Sequence, residues 1–168
     1  NNTPSIHPLK IASVLNSMAL IKGAQGLFEE QINLLERVLK LAEESDEEQM
    51  KTLAFANISS AFSKQGLFEE ALPFSDKALT SAENGDVAVN SIAGLCFNSA
   101  LHRYHLGLNG DAHSFFERNV QMELLDLSRN LWAMTETERF QYLKTKPGLE
   151  PLLLNLVAMQ GNGPKQTD

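Results

Sequence analysis

Cysteine is almost absent from this chain: Cys96 is the only one among 168 residues. A single cysteine excludes an intrachain disulfide and a cysteine-based zinc site. It also fits a reducing compartment, so we expect a cytoplasmic protein.

Long apolar runs are missing as well. No stretch approaches the roughly twenty consecutive apolar residues that a membrane-spanning helix needs. The first residues, Asn1 to Pro4, do not form a signal peptide, and no initiator methionine precedes them. We therefore interpret the chain as a fragment of a longer protein.

Basic residues are outnumbered, with 14 Lys and Arg against 21 Asp and Glu and a net charge of −7. Nucleic-acid affinity rests largely on neutralising phosphates with Lys and Arg, and attraction to anionic lipid needs the same residues. This composition argues against both kinds of partner.

The main feature that is present is an internal repeat. Residues 26–30 (Gly-Leu-Phe-Glu-Glu) recur unchanged at 66–70, and Gly107 follows 41 residues after Gly66. Helix-like periodicity flanks each glycine, so each marks the turn of a helical hairpin. Repeats of about forty residues indicate stacked units that cannot bury their apolar faces alone.

The predicted organisation has six parts. They are a flexible leader (1–8), three repeats (9–45, 46–85 and 86–130), C-terminal capping helices (131–160) and a disordered tail (161–168).

Several local signals refine this prediction. Apolar residues at three- and four-residue spacing predict an amphipathic first helix; they are Ile11, Val14, Leu15, Met18 and Ile21.

Two capping boxes are predicted, from Asp46 to Gln49 and from Thr135 to Glu138. Pro73 lies about a turn inside the fourth predicted helix, so we expect a slight kink or a later helix start there.

Aligned on the turn glycine, the units resemble tetratricopeptide (TPR) repeats. The second unit carries the motif most fully, at Phe55, Ile58, Ser59, Phe62, Gly66, Phe68, Ala71 and Ala78. The third keeps Ala100, Gly107, Ala112 and Phe116. The first departs from the motif, with Gln31 in place of alanine and Lys22 in place of an aromatic residue. The period is similar to the long repeats of kinesin light chains and bacterial scaffold proteins.

The resemblance implies an all-α fold: a right-handed superhelical stack of three hairpins followed by two shorter C-terminal helices. It also implies a non-catalytic protein–protein interaction module of a larger bacterial protein, without cofactors. The partner is a protein or peptide, which includes a second copy of the chain. The alternative is a structural or dimerising spacer, or the regulatory arm of a downstream enzyme.

The tail offers a second resemblance. Residues 131–143, which include Trp132, Phe140 and Tyr142, look like the helical segment that precedes a CHAT protease domain in bacterial TPR proteins. Such a protease would follow residue 168, so no catalytic residue transfers to this chain. Alternatively, these helices only cap the open end of the stack.

In TPR superhelices the first helix of each pair lines the concave surface, which implies a binding site here. The three asparagines on that surface are Asn16, Asn57 and Asn98. Their amides suit the backbone of an extended peptide. The alternative is that they act as caps or bond each other within the stack. The neighbouring positions are Leu20, Ser60, Phe97, Leu101, Tyr104 and His105.

Other chemistry is not supported by the spacing. His102, His105 and His113 lack further ligands to complete a zinc site. Cys96 suits a core position better than a nucleophile paired along one helix. No Lys or Arg stands at the positions that match a carboxylate clamp of the chaperone-binding type, and Lys64 is only the nearest, solitary candidate.

Overall fold

The computed structural model describes residues 7–85, 88–132 and 134–138. Six helices form most of this part, and no strand occurs in it. They are α1 (Pro8–Ala24), α2 (Phe28–Glu44), α3 (Glu48–Lys64), α4 (Phe68–Asn84), α5 (Val89–His105) and α6 (Asn109–Trp132). The all-α prediction is confirmed.

The helices form three hairpins that pack in sequence. α1 pairs with α2 and α3 with α4, while α2 contacts α3 and α4 contacts α5. α6 joins α5 through Asn119, whose side chain donates a hydrogen bond to the Ala93 carbonyl at 2.9 Å. Each hairpin therefore buries its apolar surface against the next one, as expected for a repeat stack.

The three turn glycines occupy equivalent bends, as predicted. Gly26, Gly66 and Gly107 have φ angles of 76°, 76° and 75°. Each closes its helix with the same pair of backbone bonds; at the first turn Leu27 N–H donates to Lys22 O and Gly26 N–H to Gly23 O. This is the Schellman ending, which needs a left-handed residue and so favours glycine.

The capping box predicted at Asp46 is wrong. Asp46 has a φ of 53° and ends α2 with the Schellman pattern instead. α3 begins at Glu48, and its N-cap residue Glu47 makes no side-chain capping bond. Aspartate is among the few residues other than glycine that adopt the left-handed conformation, so this position completes one helix rather than starting the next.

Two prolines lie within helices. Pro8 is the first residue of α1, where its missing N–H costs no hydrogen bond, so the helix takes one residue from the predicted leader. α4 begins at Phe68 and includes Pro73, so a later helix start is excluded. Pro73 is exposed, and its ring faces away from the packed side of the helix.

The core is built from small residues where helices meet. Ala12, Ala19, Ala54, Ala61 and Ala71 have no exposed surface. Small side chains let helix backbones approach closely. Larger residues, chiefly Leu35, Val38 and Ile58, fill the space between hairpins.

The buried face of α1 differs from the predicted apolar stripe. Of the five predicted residues only Leu15 is buried, and it shares its face with Ala12, Ala19 and Gly23. The other four, Ile11, Val14, Met18 and Ile21, are exposed. α1 is therefore apolar on two faces, and the hairpin covers only one of them.

Contacts divide the chain after Glu123 into two compact units. In the second unit the predicted capping box is confirmed, because Glu138 N–H donates to Thr135 Oγ1 and Thr135 N–H to Glu138 Oε2. The Thr135 hydroxyl also donates to Glu138 Oε2 at 2.7 Å, and this bond, together with the one from the Thr135 N–H, lowers the pKa of Glu138. The predicted helices beyond this turn, the tail and residues 1–6 lie outside the described residues.

Candidate functional site

The predicted binding residues lie on the first helices of the hairpins, α1, α3 and α5. We call the surface formed by these predicted residues the A-helix wall. Its members repeat at fixed distances from the turn glycines. Leu20, Ser60 and Leu101 each lie six residues before a glycine, and Asn57 and Asn98 nine residues before.

Two of the three predicted asparagines bind each other. Asn57 Nδ2 donates to Asn16 Oδ1 at 2.9 Å, and Asn16 is only 9 % exposed. The hydrogen bond joins α1 to α3 across two hairpins. For Asn16 and Asn57, this hydrogen bond agrees with the alternative hypothesis, in which the amides bond each other within the stack.

Asn98 remains exposed and belongs to a polar cleft between α3 and α5. Ser60, Ser63, Lys64 and His102 line the same cleft, which has a volume of about 240 Å³. The structure thus brings together two predicted residues, Asn98 and Ser60, with Lys64 beside them.

Three other predicted residues share an apolar cleft between α5 and α6. Phe97, Leu101 and Tyr104 form one side of this cleft, which has a volume of about 420 Å³. The opposite side consists mainly of Ala112 and Phe116, and the ring centroids of Phe97 and Phe116 lie 6.4 Å apart. The sequence did not assign these α6 residues to a site, because their motif positions predicted packing alone.

Leu20 and His105 take different places. Leu20 is exposed on α1 and lines neither of these two clefts. His105 stacks on the Phe68 ring with centroids 4.0 Å apart and planes 4° apart. His105 thus covers the face of the Phe68 ring, and the Tyr104 ring meets His105 edge-on with centroids 5.9 Å apart.

His102 lies at the base of the polar cleft and is 2 % exposed. Ser75 Oγ donates to Leu72 O at 2.8 Å, so its oxygen accepts from His102 Nδ1, which lies 3.3 Å away. Burial lowers the pKa of His102, and the carboxylate of Asp76 opposes this only in part. The lowered pKa favours the neutral form of the imidazole.

A bidentate ion pair holds α5 against α4 near this histidine. Arg103 donates to both Asp76 oxygens at 2.9 Å, and its guanidinium lies 4.0 Å from the Phe115 ring centroid. Such paired geometry fixes orientation as well as charge. The pair positions the α5 part of the wall relative to α4.

The remaining candidates for chemistry do not converge. Cys96 is fully buried against Ala78, Leu79 and Ala82, and burial raises the pKa of its thiol. His113 is exposed and forms an ion-pair contact with Glu117 on its own helix at 3.3 Å. Within the described ranges, no three His, Cys, Asp or Glu side chains could share a metal ion.

Comparison with solved structures identifies the fold. The chain is similar to the TPR domain of Arabidopsis FLU, with a TM-score of 0.63 and 14 % identity over 68 % of this chain and 95 % of that one. It is similar to BtubC (BKLC) from P. vanneervenii, with a TM-score of 0.68 and 18 % identity over 99 % and 71 % of the two chains. A TPR-like protein from Chlorobium tepidum gives a TM-score of 0.60 and 20 % identity over 93 % and 99 %.

No protein-family model matches the chain, and neither does any curated protein sequence. The structural neighbours, together with the three equivalent hairpins, define a TPR-like helical repeat protein. A fold of this kind does not by itself identify a partner, which has to be argued from the site. In the part of the chain that the structure describes, no helix is long and apolar enough to cross a bilayer.

Proposed function

We propose that this chain is a non-catalytic interaction module that binds an extended polypeptide along the A-helix wall. One observation carries the proposal: Phe97, Leu101 and Tyr104 stay 45 %, 36 % and 66 % exposed while lining one apolar cleft. Large apolar side chains gathered in an exposed cleft are typical of protein-interaction sites.

The polar cleft next to it complements this anchor. Asn98 and Ser60 carry both donors and acceptors, as a peptide backbone requires. Asn98 and Leu101 lie three residues apart on α5, one helical turn, so one ligand can reach both clefts. We therefore expect a ligand with an aromatic or aliphatic anchor whose neighbouring backbone bonds to Asn98.

The amides of Asn16 and Asn57 have a different role in this proposal. Because they bond each other, they set the spacing of α1 and α3, and they contribute less than Asn98 to ligand binding. Asn98 and the apolar cleft carry the recognition. His105 supports the wall by covering Phe68.

The test uses a phage-displayed library of random linear peptides selected on the immobilised chain. Enriched peptides should share an apolar anchor and should bind the purified chain in calorimetry. Leu101→Asp should weaken that binding at least tenfold, because it places a charge in the apolar cleft.

Val14→Asp is the matched control, since Val14 is exposed on α1 away from the wall. This variant should bind the selected peptides as the parent does. Failure to enrich any anchor motif, or equal loss in both variants, would contradict binding at the wall. Circular dichroism must show unchanged helicity in both.

A further inference from the structure

The outward face of α1 carries a second apolar surface that the hairpins leave uncovered. Ile11, Val14, Met18 and Ile21 are 39 %, 60 %, 45 % and 59 % exposed. We call these four residues the α1 seam. They lie beside the stripe of Ala12, Leu15 and Ala19, which pack within the stack.

The equivalent positions in the other two repeats are buried. Val14, Met18 and Ile21 lie twelve, eight and five residues before the turn glycine. The same positions in α3 are Ala54, Ile58 and Ala61, and they are at most 1 % exposed. In α5 they are Leu95, Ser99 and His102, which are at most 6 % exposed.

Those equivalents are buried against a helix of the hairpin before them. Ile58 packs with Leu35 of α2, and His102 bonds Ser75 of α4. These positions are therefore helix-docking positions in this fold. Only in α1 are they exposed among the described residues, and only there do they hold three large aliphatic residues.

The seam is also self-complementary. Its spacing of three, four and three residues is the a/d pattern of a two-heptad coiled coil. Ile11 and Ile21 lie five residues either side of Asn16, and Val14 and Met18 lie two residues either side. Two copies of α1 running antiparallel about a twofold axis at Asn16 therefore place Ile11 opposite Ile21, and Val14 opposite Met18.

Charge favours the same arrangement. The protein carries a net charge of −7, yet α1 contains no acidic residue. Of its two lysines, Lys22 already binds Glu30 at 2.7 Å. Two acidic chains thus approach through a helix that is free of carboxylates.

From these observations we infer that the α1 seam binds a second copy of this chain, forming an antiparallel α1–α1 dimer. The interface is isologous, since both copies use the same residues, and it closes as a dimer instead of extending into a filament. Two heptads make a small interface, so the dimer dissociates on dilution. The A-helix walls of both copies stay outside it, so the inference is independent of peptide binding.

The test is the mass of the full 168-residue chain, by sedimentation equilibrium from micromolar to millimolar concentration. The parent should shift from monomer to dimer and stop there. Val14→Asp should raise the dissociation constant at least tenfold, because it places a charge in the seam. Ser13→Asp adds the same charge to the neighbouring exposed residue of α1 and should leave the constant unchanged.

The orientation is tested by disulfide trapping. An equimolar mixture of Ile11→Cys and Ile21→Cys chains should form a cross-linked heterodimer on mild oxidation. Ile11→Cys alone should not cross-link, because the two copies of residue 11 lie about 15 Å apart along the helix axes at 1.5 Å per residue. Cys96 is buried and does not compete.

Three results would overturn the inference. They are a monomer at every concentration, a dimer that Val14→Asp leaves intact, and efficient cross-linking of Ile11→Cys with itself. Either of the first two results would show that the α1 seam does not bind a second copy of the chain. The third would show that the two α1 helices run parallel. Selected peptides should still bind Val14→Asp, so loss of the dimer is distinguishable from loss of the wall.

Discussion

Asn57 donates a hydrogen bond to Asn16 across two hairpins, with the two side-chain atoms 2.9 Å apart. Asn98, which holds the position of Asn57 in the next repeat, is exposed in the polar cleft instead. The same residue type therefore stands in two environments along one wall. One asparagine is part of the stack, and the other is available to a ligand.

Removing each amide should distinguish these two environments. Asn57→Ala leaves the buried amide oxygen of Asn16 without its donor, which should lower the free energy of unfolding by about 1–2 kcal/mol. Asn98→Ala should change stability by less than about 0.5 kcal/mol, as expected for an exposed residue. It should instead weaken binding of the selected peptides. Urea denaturation and calorimetry measure the two effects, and a reversed pattern would show that the assignments are exchanged.

Gly23 and Gln31 form a compensating pair in the first repeat. Gln31 is 2 % exposed where the other repeats have Ala71 and Ala112, and its Oε1 has no hydrogen-bond partner in the described part of the chain. A Cβ atom at Gly23 would lie 2.3 Å from that oxygen. In the first repeat the small residue at this contact is therefore Gly23 on α1, whereas in the other repeats it is an alanine on the second helix.

Gly23→Ala should therefore destabilise the protein, although alanine is the better helix former. We expect a net loss of about 1 kcal/mol, at the low end for overpacked sites, because the clashing atoms form the end of the Gln31 side chain. The double variant Gly23→Ala with Gln31→Ala restores the small residue on α2 and should recover most of the loss. Additive losses in urea denaturation would mean that the two residues are not coupled.

His102 should make stability depend on pH. Burial lowers its pKa in the folded state below the ordinary value of 6.5. As the pH falls, His102 is therefore protonated in the unfolded chain before it is protonated in the folded protein. Its contribution to the free energy of unfolding is complete above about pH 6.5 and is lost as the pH falls towards the folded-state pKa. Asp76, Arg103 and His105 are the charged or titratable groups that act on it.

His102→Gln removes this difference between the two states. The free energy of unfolding of the variant should fall less than that of the parent between pH 7 and about pH 5. Identical slopes for the parent and His102→Gln would show that the imidazole is not the group responsible.

Several features of the fold follow from local sequence alone. The turn glycines and the hairpins around them were predictable, because a Schellman ending is decided by one left-handed residue and its neighbours. Asp46 shows the limit of that approach. Aspartate suits both a left-handed helix end and an N-cap, so the residues between α2 and α3 do not reveal which role applies.

The site was only partly predictable for a related reason. Spacing from the glycines placed Asn98, Leu101 and Tyr104 on one side of α5, and the structure gathers these residues into the two clefts. Spacing along α5 could not show that Phe116 closes the apolar cleft, since that depends on the approach of α6. Nor could it show that Asn16 and Asn57 face each other.

The sequence by itself determined three helical hairpins, their turns and the residues on each helix face, because these depend on contacts within a few positions of the chain. Only the tertiary structure decided which face of α1 is buried, which asparagines pair and that His102 is enclosed. Those outcomes depend on the neighbouring hairpin. A helix with apolar residues on two faces fits a partner on either side, so its own periodicity cannot tell which face is covered.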